Sequence, residues 1–159
     1  MEHPRAVRWS IAAGLFVEFV GFLYDTLWHD QHLSEVAIPP SKLMTVHSGI
    51  YLGELLVLGI ALATLALRTR RAHPQAVLWA VVAGGLVQIA GSGFDMWSHA
   101  HAYEKPLYHD TIYTGAAVTI IGYLLLEILA SRAARQEQVP APDAVADRRS
   151  DEAKQTAER

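Results

Sequence analysis

Two stretches of this chain carry residues suited to metal chemistry, Asp25-Thr26-Leu27-Trp28-His29 and Asp95-Met96-Trp97-Ser98-His99. In each, an Asp and a His stand four residues apart at the end of a long apolar run, which puts both side chains on one face of a helix. A further His follows each stretch, and each opens a similar pattern: His47-Ser-Gly-Ile50-Tyr51-Leu-Gly53 and His109-Asp-Thr-Ile112-Tyr113-Thr-Gly115. Each half of the chain therefore offers one carboxylate and two imidazoles. With no cysteine in the sequence, disulfides, thiolate sites and cysteine nucleophiles are excluded, and any metal must be held by nitrogen and oxygen. Imidazole with carboxylate suits copper and iron for redox work and zinc for hydrolysis.

The correspondence between the halves extends past these six residues. An offset of 70 superposes Glu18 on Gln88, Gly21 on Gly91, Asp25 on Asp95 and His29 on His99. An offset of 62 superposes His47 on His109, Ile50 on Ile112, Tyr51 on Tyr113 and Gly53 on Gly115. Most of these matches are polar or Gly, which chance in apolar sequence does not readily supply. The expected arrangement is two parallel helical-hairpin repeats.

The elements that must position these residues are membrane helices. The chain has 159 residues, 52% hydrophobic and only 18% charged, above the usual apolar share of a soluble domain. The apolar residues form four runs, each near the roughly 20 residues needed to cross a bilayer core. Segments such as Leu55-Leu56-Val57-Leu58-Gly59-Ile60-Ala61-Leu62-Ala63 are apolar all round. The fold class expected is all-α, an integral membrane four-helix bundle with helices at about 9–29, 42–67, 75–98 and 109–130, inside a domain of residues 1–135. The first run is too long for a signal peptide and carries Glu18 and Asp25 within it. Residues 136–159 are rich in charge and poor in large apolar residues, and are expected to form a disordered tail.

The net charge is −3, but its distribution says more. Arg5 and Arg8 precede the first run, Arg68, Arg70 and Arg71 join the second to the third, and Arg132 and Arg135 follow the fourth. The bias of Lys and Arg to the inner side predicts a multi-pass protein of the cell membrane, with both termini cytoplasmic and residues 29–42 and 99–110 outside. The Asp and His residues then gather at the outer face. His3 and His73 lie on the inner side, and His32 and His101 are loop histidines beside the site that could add ligands. Glu127, with Arg132 close by in sequence, reads as an interfacial ion pair.

Helical pitch places Glu18 below Asp25, Gln88 below Asp95 and Glu54 below His47, each about 10 Å deeper. Carboxyl groups at that depth cost roughly 2.5–3.5 kcal/mol unless paired or neutral. Glu18 and Glu54 are therefore candidates for proton relay or general-base work, or for interhelical hydrogen bonds. Tyr51 and Tyr113, one turn from their histidines, are candidate partners of the ligands.

The pattern Asp-x3-His on an outer helix end, followed by a His opening the next helix, resembles the copper site of the membrane C subunit of particulate methane and ammonia monooxygenases, where the motif is Asp-x3-His-x12-His. Here it stands as Asp25-x3-His29-x17-His47 and Asp95-x3-His99-x9-His109. The resemblance implies copper-dependent or iron-dependent oxidation at an outer-facing site, with Asp25, His29, His47, Asp95, His99 and His109 as ligands of one or two ions per chain. It also implies a small or lipophilic substrate and a separate electron donor. Two other classes remain open: a b-type haem protein using the four histidines as axial pairs, and a metal-binding or transport module without catalysis. Nothing in the sequence supports nucleic-acid binding, and the oligomeric state, a homo-oligomer included, stays open.

Overall fold

The computed structural model describes residues 4–32, 39–67, 75–101, 103 and 106–137. Among these there is no strand, and the helices are α1 (Pro4–Gln31), α2 (Pro40–Val46), α3 (Ser48–Ala66), α4 (Gln75–Ala100) and α5 (Pro106–Glu137). The chain divides into a unit of Met1–Glu127, which holds the bundle and the site, and a unit of Ile128–Arg159, described over residues 128–137 of α5.

Three helices start earlier than the apolar runs suggest, at Pro4, Pro40 and Pro106. Proline fits a first helical turn because its missing N–H has no intrahelical partner there and its φ is already helical. The far end of α5 also overruns its expected limit near residue 130. Ser131 to Glu137 includes good helix formers, and Arg135 in the last turn complements the helix dipole. The expected tail is thus helical at residues 136 and 137, and its remainder lies outside the described residues.

The second apolar run is not one unbroken helix. It is interrupted at His47, whose backbone (φ −87°, ψ 3°) separates α2 from α3. The hydrogen-bond ladder nevertheless runs through: His47 N–H donates to the Leu43 carbonyl at 2.9 Å, and Tyr51 N–H to the His47 carbonyl at 3.0 Å.

Packing follows a heptad-like stripe. On α1 the buried positions are Ile11, Gly14, Glu18, Gly21 and Asp25, spaced alternately by three and four, which keeps one face of the helix toward its neighbours. α3 and α4 form the middle of the bundle, each with 44% of its most apolar window buried, against 22% for α1 and 33% for α5. α1 lies on α3 and α5 lies on α4, the backbones meeting where glycine removes the side chain. A Cβ on Gly21 would lie 2.9 Å from Gly49 Cα, and one on Gly91 would lie 2.9 Å from Ile112 N.

These close approaches recur between the hairpins. Gly21 meets Ile50 as Gly91 meets Ile112, Gly53 meets Glu18 as Gly115 meets Gln88, and Gly14 meets Val57 as Gly84 meets Thr119. All three pairs are related by the offsets of 70 and 62 that align the sequence.

The outward faces are apolar: Phe16, Phe19, Leu55, Leu86, Ile121 and Leu124 are all more than half exposed. Leaving such residues in water forfeits about 1.5–3 kcal/mol for each large side chain, a loss that lipid removes. All four long helices are of a length and composition to cross a membrane, and α3, the shortest, spans about 28 Å at the helical rise. The chain is a multi-pass membrane protein.

Candidate metal centre

α1 delivers Asp25 and His29 one turn apart, and the break at His47 turns that imidazole onto the same carboxylate. His47 Nε2 lies 2.6 Å from Asp25 Oδ1, and His29 Nε2 lies 3.4 Å from the same oxygen. α4 and α5 repeat the construction: His109 Nε2 is 3.4 Å and His99 Nε2 3.7 Å from Asp95 Oδ1. The two sets, Asp25/His29/His47 and Asp95/His99/His109, each have the disposition of a metal-binding group. Both use the same atoms, one carboxylate Oδ1 and two Nε2.

The spacing suits a first-row ion. Ligand bonds of about 2.0–2.1 Å in a tetrahedral arrangement put the donors roughly 3.3 Å apart, near the separations of 3.4, 3.4 and 3.7 Å, whereas the 2.6 Å between His47 Nε2 and Asp25 Oδ1 is a direct pairing distance that an ion would widen. Buried polar atoms are normally hydrogen-bonded, yet Asp95 Oδ1 and His29 Nε2 are buried without a hydrogen bond, while Asp25 Oδ1 and His47 Nε2 face one another at 2.6 Å as a direct pair. Asp25, His47, Asp95 and His99 are buried, while the side chains of His29 and His109 retain 32% and 38% exposure. Each set thus has one imidazole on the access side.

The sets adjoin one another. His47 Nδ1 lies 3.9 Å from Asp95 Oδ2, and the His29 and His99 rings stack with centroids 5.9 Å apart. Asp25, Asp95, His47, His109, Ser92, Tyr51 and Tyr113 line one cavity of about 10 Å³, room for about one water molecule.

Tyr51 makes the contact expected of it, its hydroxyl 3.2 Å from His47 Nδ1. Tyr113 lines the cavity too, half exposed and packed on Phe22 at 5.7 Å between ring centroids. Below the cavity, the buried carboxyls are held across the bundle. Ser92 Oγ donates to Glu54 Oε1 at 2.7 Å, and Gln88 Nε2 donates to Glu18 Oε1. Ser92 was not singled out by sequence, although it stands one turn before Asp95 on the face that carries Gln88. Ser98, which donates to the Asp95 carbonyl at 2.8 Å, gave no such signal.

His32 and His101 stand outside both sets. Each places Nδ1 on the carbonyl of the Trp four residues earlier, Trp28 at 2.7 Å and Trp97 at 2.8 Å, and stacks on that indole. Since a carbonyl only accepts, Nδ1 is the protonated nitrogen in both. Glu127 pairs not with Arg132 but with Arg8 of α1, at 2.8 Å, because the bundle brings the start of α1 beside α5. His3 and His73 lie outside the described residues.

No protein-family model, curated protein or solved structure matches this chain. The functional case rests on the site itself.

Proposed function

We propose that this protein is a membrane metalloenzyme, a copper- or iron-dependent oxidoreductase acting on a small or lipophilic substrate at the outer face of the bilayer. The observation that carries this is the duplicated convergence of one carboxylate and two imidazoles, the ligand atoms of each set all lying within 4.8 Å of one another. Three protein ligands leave coordination positions open, the mark of a catalytic rather than a structural site, and two imidazoles with one carboxylate is the donor set of non-haem iron oxygenases. Glu54 and Glu18, each in a buried hydrogen bond below the cavity, serve as proton carriers between the cavity and the bundle. Tyr51 holds the far nitrogen of His47 and so fixes which nitrogen faces the metal. Arginine asymmetry supports inner termini and an outer site, and electrons come from a separate donor.

Haem draws less support. The cavity between His47 and His109 admits one water-sized group, and both carboxylates, Asp25 and Asp95, line it. Transport draws less still, since the bundle beyond the carboxyl pairs closes with Ile11, Val57, Ala61, Leu78, Val81 and Leu126, and the buried polar side chains there among the described residues, Thr64 and Thr119, carry no charge.

Metal analysis and an absorption spectrum of detergent-purified protein test the proposal. Copper or iron without a Soret band is expected, with Asp25→Asn and Asp95→Asn each losing metal while the protein stays inserted. A Soret band that survives both substitutions would establish haem instead, and zinc alone would move the chemistry to hydrolysis.

A further inference from the structure

We infer that the two sets of ligands form one two-metal centre, with His47 standing between its halves and a single oxygen ligand seated in the shared cavity. The inference rests on the metal site proposed above and specifies its nuclearity. The case begins with His47. Its Nε2 faces Asp25 at 2.6 Å and its Nδ1 edge faces Asp95 at 3.9 Å, so one imidazole ring separates the two carboxylates. The other contacts close the gap: His29 stacks on His99 with centroids 5.9 Å apart, and His47 lies 6.3 Å from His99. These cross-set separations match those within a set to within 0.4 Å, since His29 and His47 are 5.9 Å apart and His99 and His109 are 6.0 Å apart.

Two divalent ions so close repel each other unless an anion lies between them. The cavity lined by both Asp25 and Asp95 provides that position and has room for about one water-sized group. A water held there between two ions loses a proton readily, because metal binding lowers its pKa by several units. The proton has an acceptor path: Ser92 lines the cavity and is bonded to Glu54. Two-metal sites elsewhere hold their ions about 4 Å apart, with both acting on one oxygen. Here the small cavity confines the inner coordination position to water, hydroxide or a small oxidant, and any larger substrate must approach from the side of His29 and His109.

The test is titration of the metal-free, full-length protein with Cu(II) alone, followed by stoichiometry and electron paramagnetic resonance. Two coppers per chain are expected, with a signal broadened and reduced by spin coupling and a half-field transition. His29→Ala and His109→Ala alter the two most exposed side chains of the sets, at 32% and 38%, and are least disruptive to folding. Each should leave one copper and restore the sharp signal of an isolated ion. Two coppers with full-intensity, isolated signals would overturn the shared centre in favour of independent sites. One copper per chain that needs residues of both sets would overturn it in favour of a single mononuclear site. Both results leave the metalloenzyme standing, whereas copper binding that is unaffected by replacing Asp25 and Asp95 would remove the metalloenzyme and the two-metal centre together.

Discussion

At the scale of single residues, the polar side chains beneath the cavity set a test that separates holding the fold from moving protons. Ser92→Ala and Gln88→Leu each take a donor from a buried carboxyl, and interhelical hydrogen bonds in membranes are worth on average about 0.6 kcal/mol and up to about 1.7 kcal/mol. A measurable fall in the melting temperature of the detergent-solubilised protein is the expected outcome, with metal content kept. Glu54→Gln and Glu18→Gln preserve shape and hydrogen-bonding ability but remove an ionisable proton. They should retain metal and slow turnover; metal loss in either would make that residue a ligand and end its assignment as a proton carrier. The pairing of Asp25 with His29 and of Asp95 with His99 was legible in the sequence because a four-residue step on a helix fixes direction. The partners of the deeper carboxyls were less so. Ser92 lies on a different helix from Glu54, and Arg8 stands far in sequence from Glu127, so local spacing held no sign that either pair would meet.

At the scale of elements, glycines report where backbones touch. A Cβ on Gly115 would fall 2.6 Å from the Gln88 backbone nitrogen, and one on Gly53 would fall 2.6 Å from Glu18 Cα, whereas Gly59 and Gly93 have nothing within 4 Å. Gly53→Ala and Gly115→Ala should therefore destabilise by about 1–3 kcal/mol through overpacking. Gly59→Ala should be neutral or gain up to about 1 kcal/mol from helix propensity. Thermal melts of the three alanine variants check this, and equal behaviour at Gly53 and Gly59 would contradict the close crossing. The four helices themselves were plain from their apolar runs. The interruption at His47 was not, because Leu43-Met44-Thr45-Val46 carries no Gly or Pro to announce it. The early starts at Pro4, Pro40 and Pro106 lie ahead of the apolar runs by which the helices were placed, in first turns that proline suits but that carry no apolar signal.

At the scale of the whole molecule, the arginine bias predicts sidedness, and the absence of native cysteine gives a clean background for measuring it. Single cysteines in place of Asp30 and Ala100, both exposed at the helix ends that the arginine bias puts outside, should react with a membrane-impermeant reagent on intact cells. Cysteines at Leu67 and Gln75, exposed near the opposite ends, should react only after permeabilisation. The reverse pattern would place the metal centre on the cytoplasmic side.

The matched contacts within α1–α3 and α4–α5 carry a consequence for how the gene can be divided. Each hairpin has its own glycine crossing, and the hairpins meet through Glu18 with Gln88 and Glu54 with Ser92. Because helices can insert independently before they associate, residues 1–70 and 71–159 expressed as separate polypeptides should complement one another and co-purify with copper bound. Each fragment alone would present an unpartnered carboxyl or amide to lipid and only half of the ligands. Failure of the fragments to find each other would show that the covalent connection, rather than the facing side chains, holds the two halves in register.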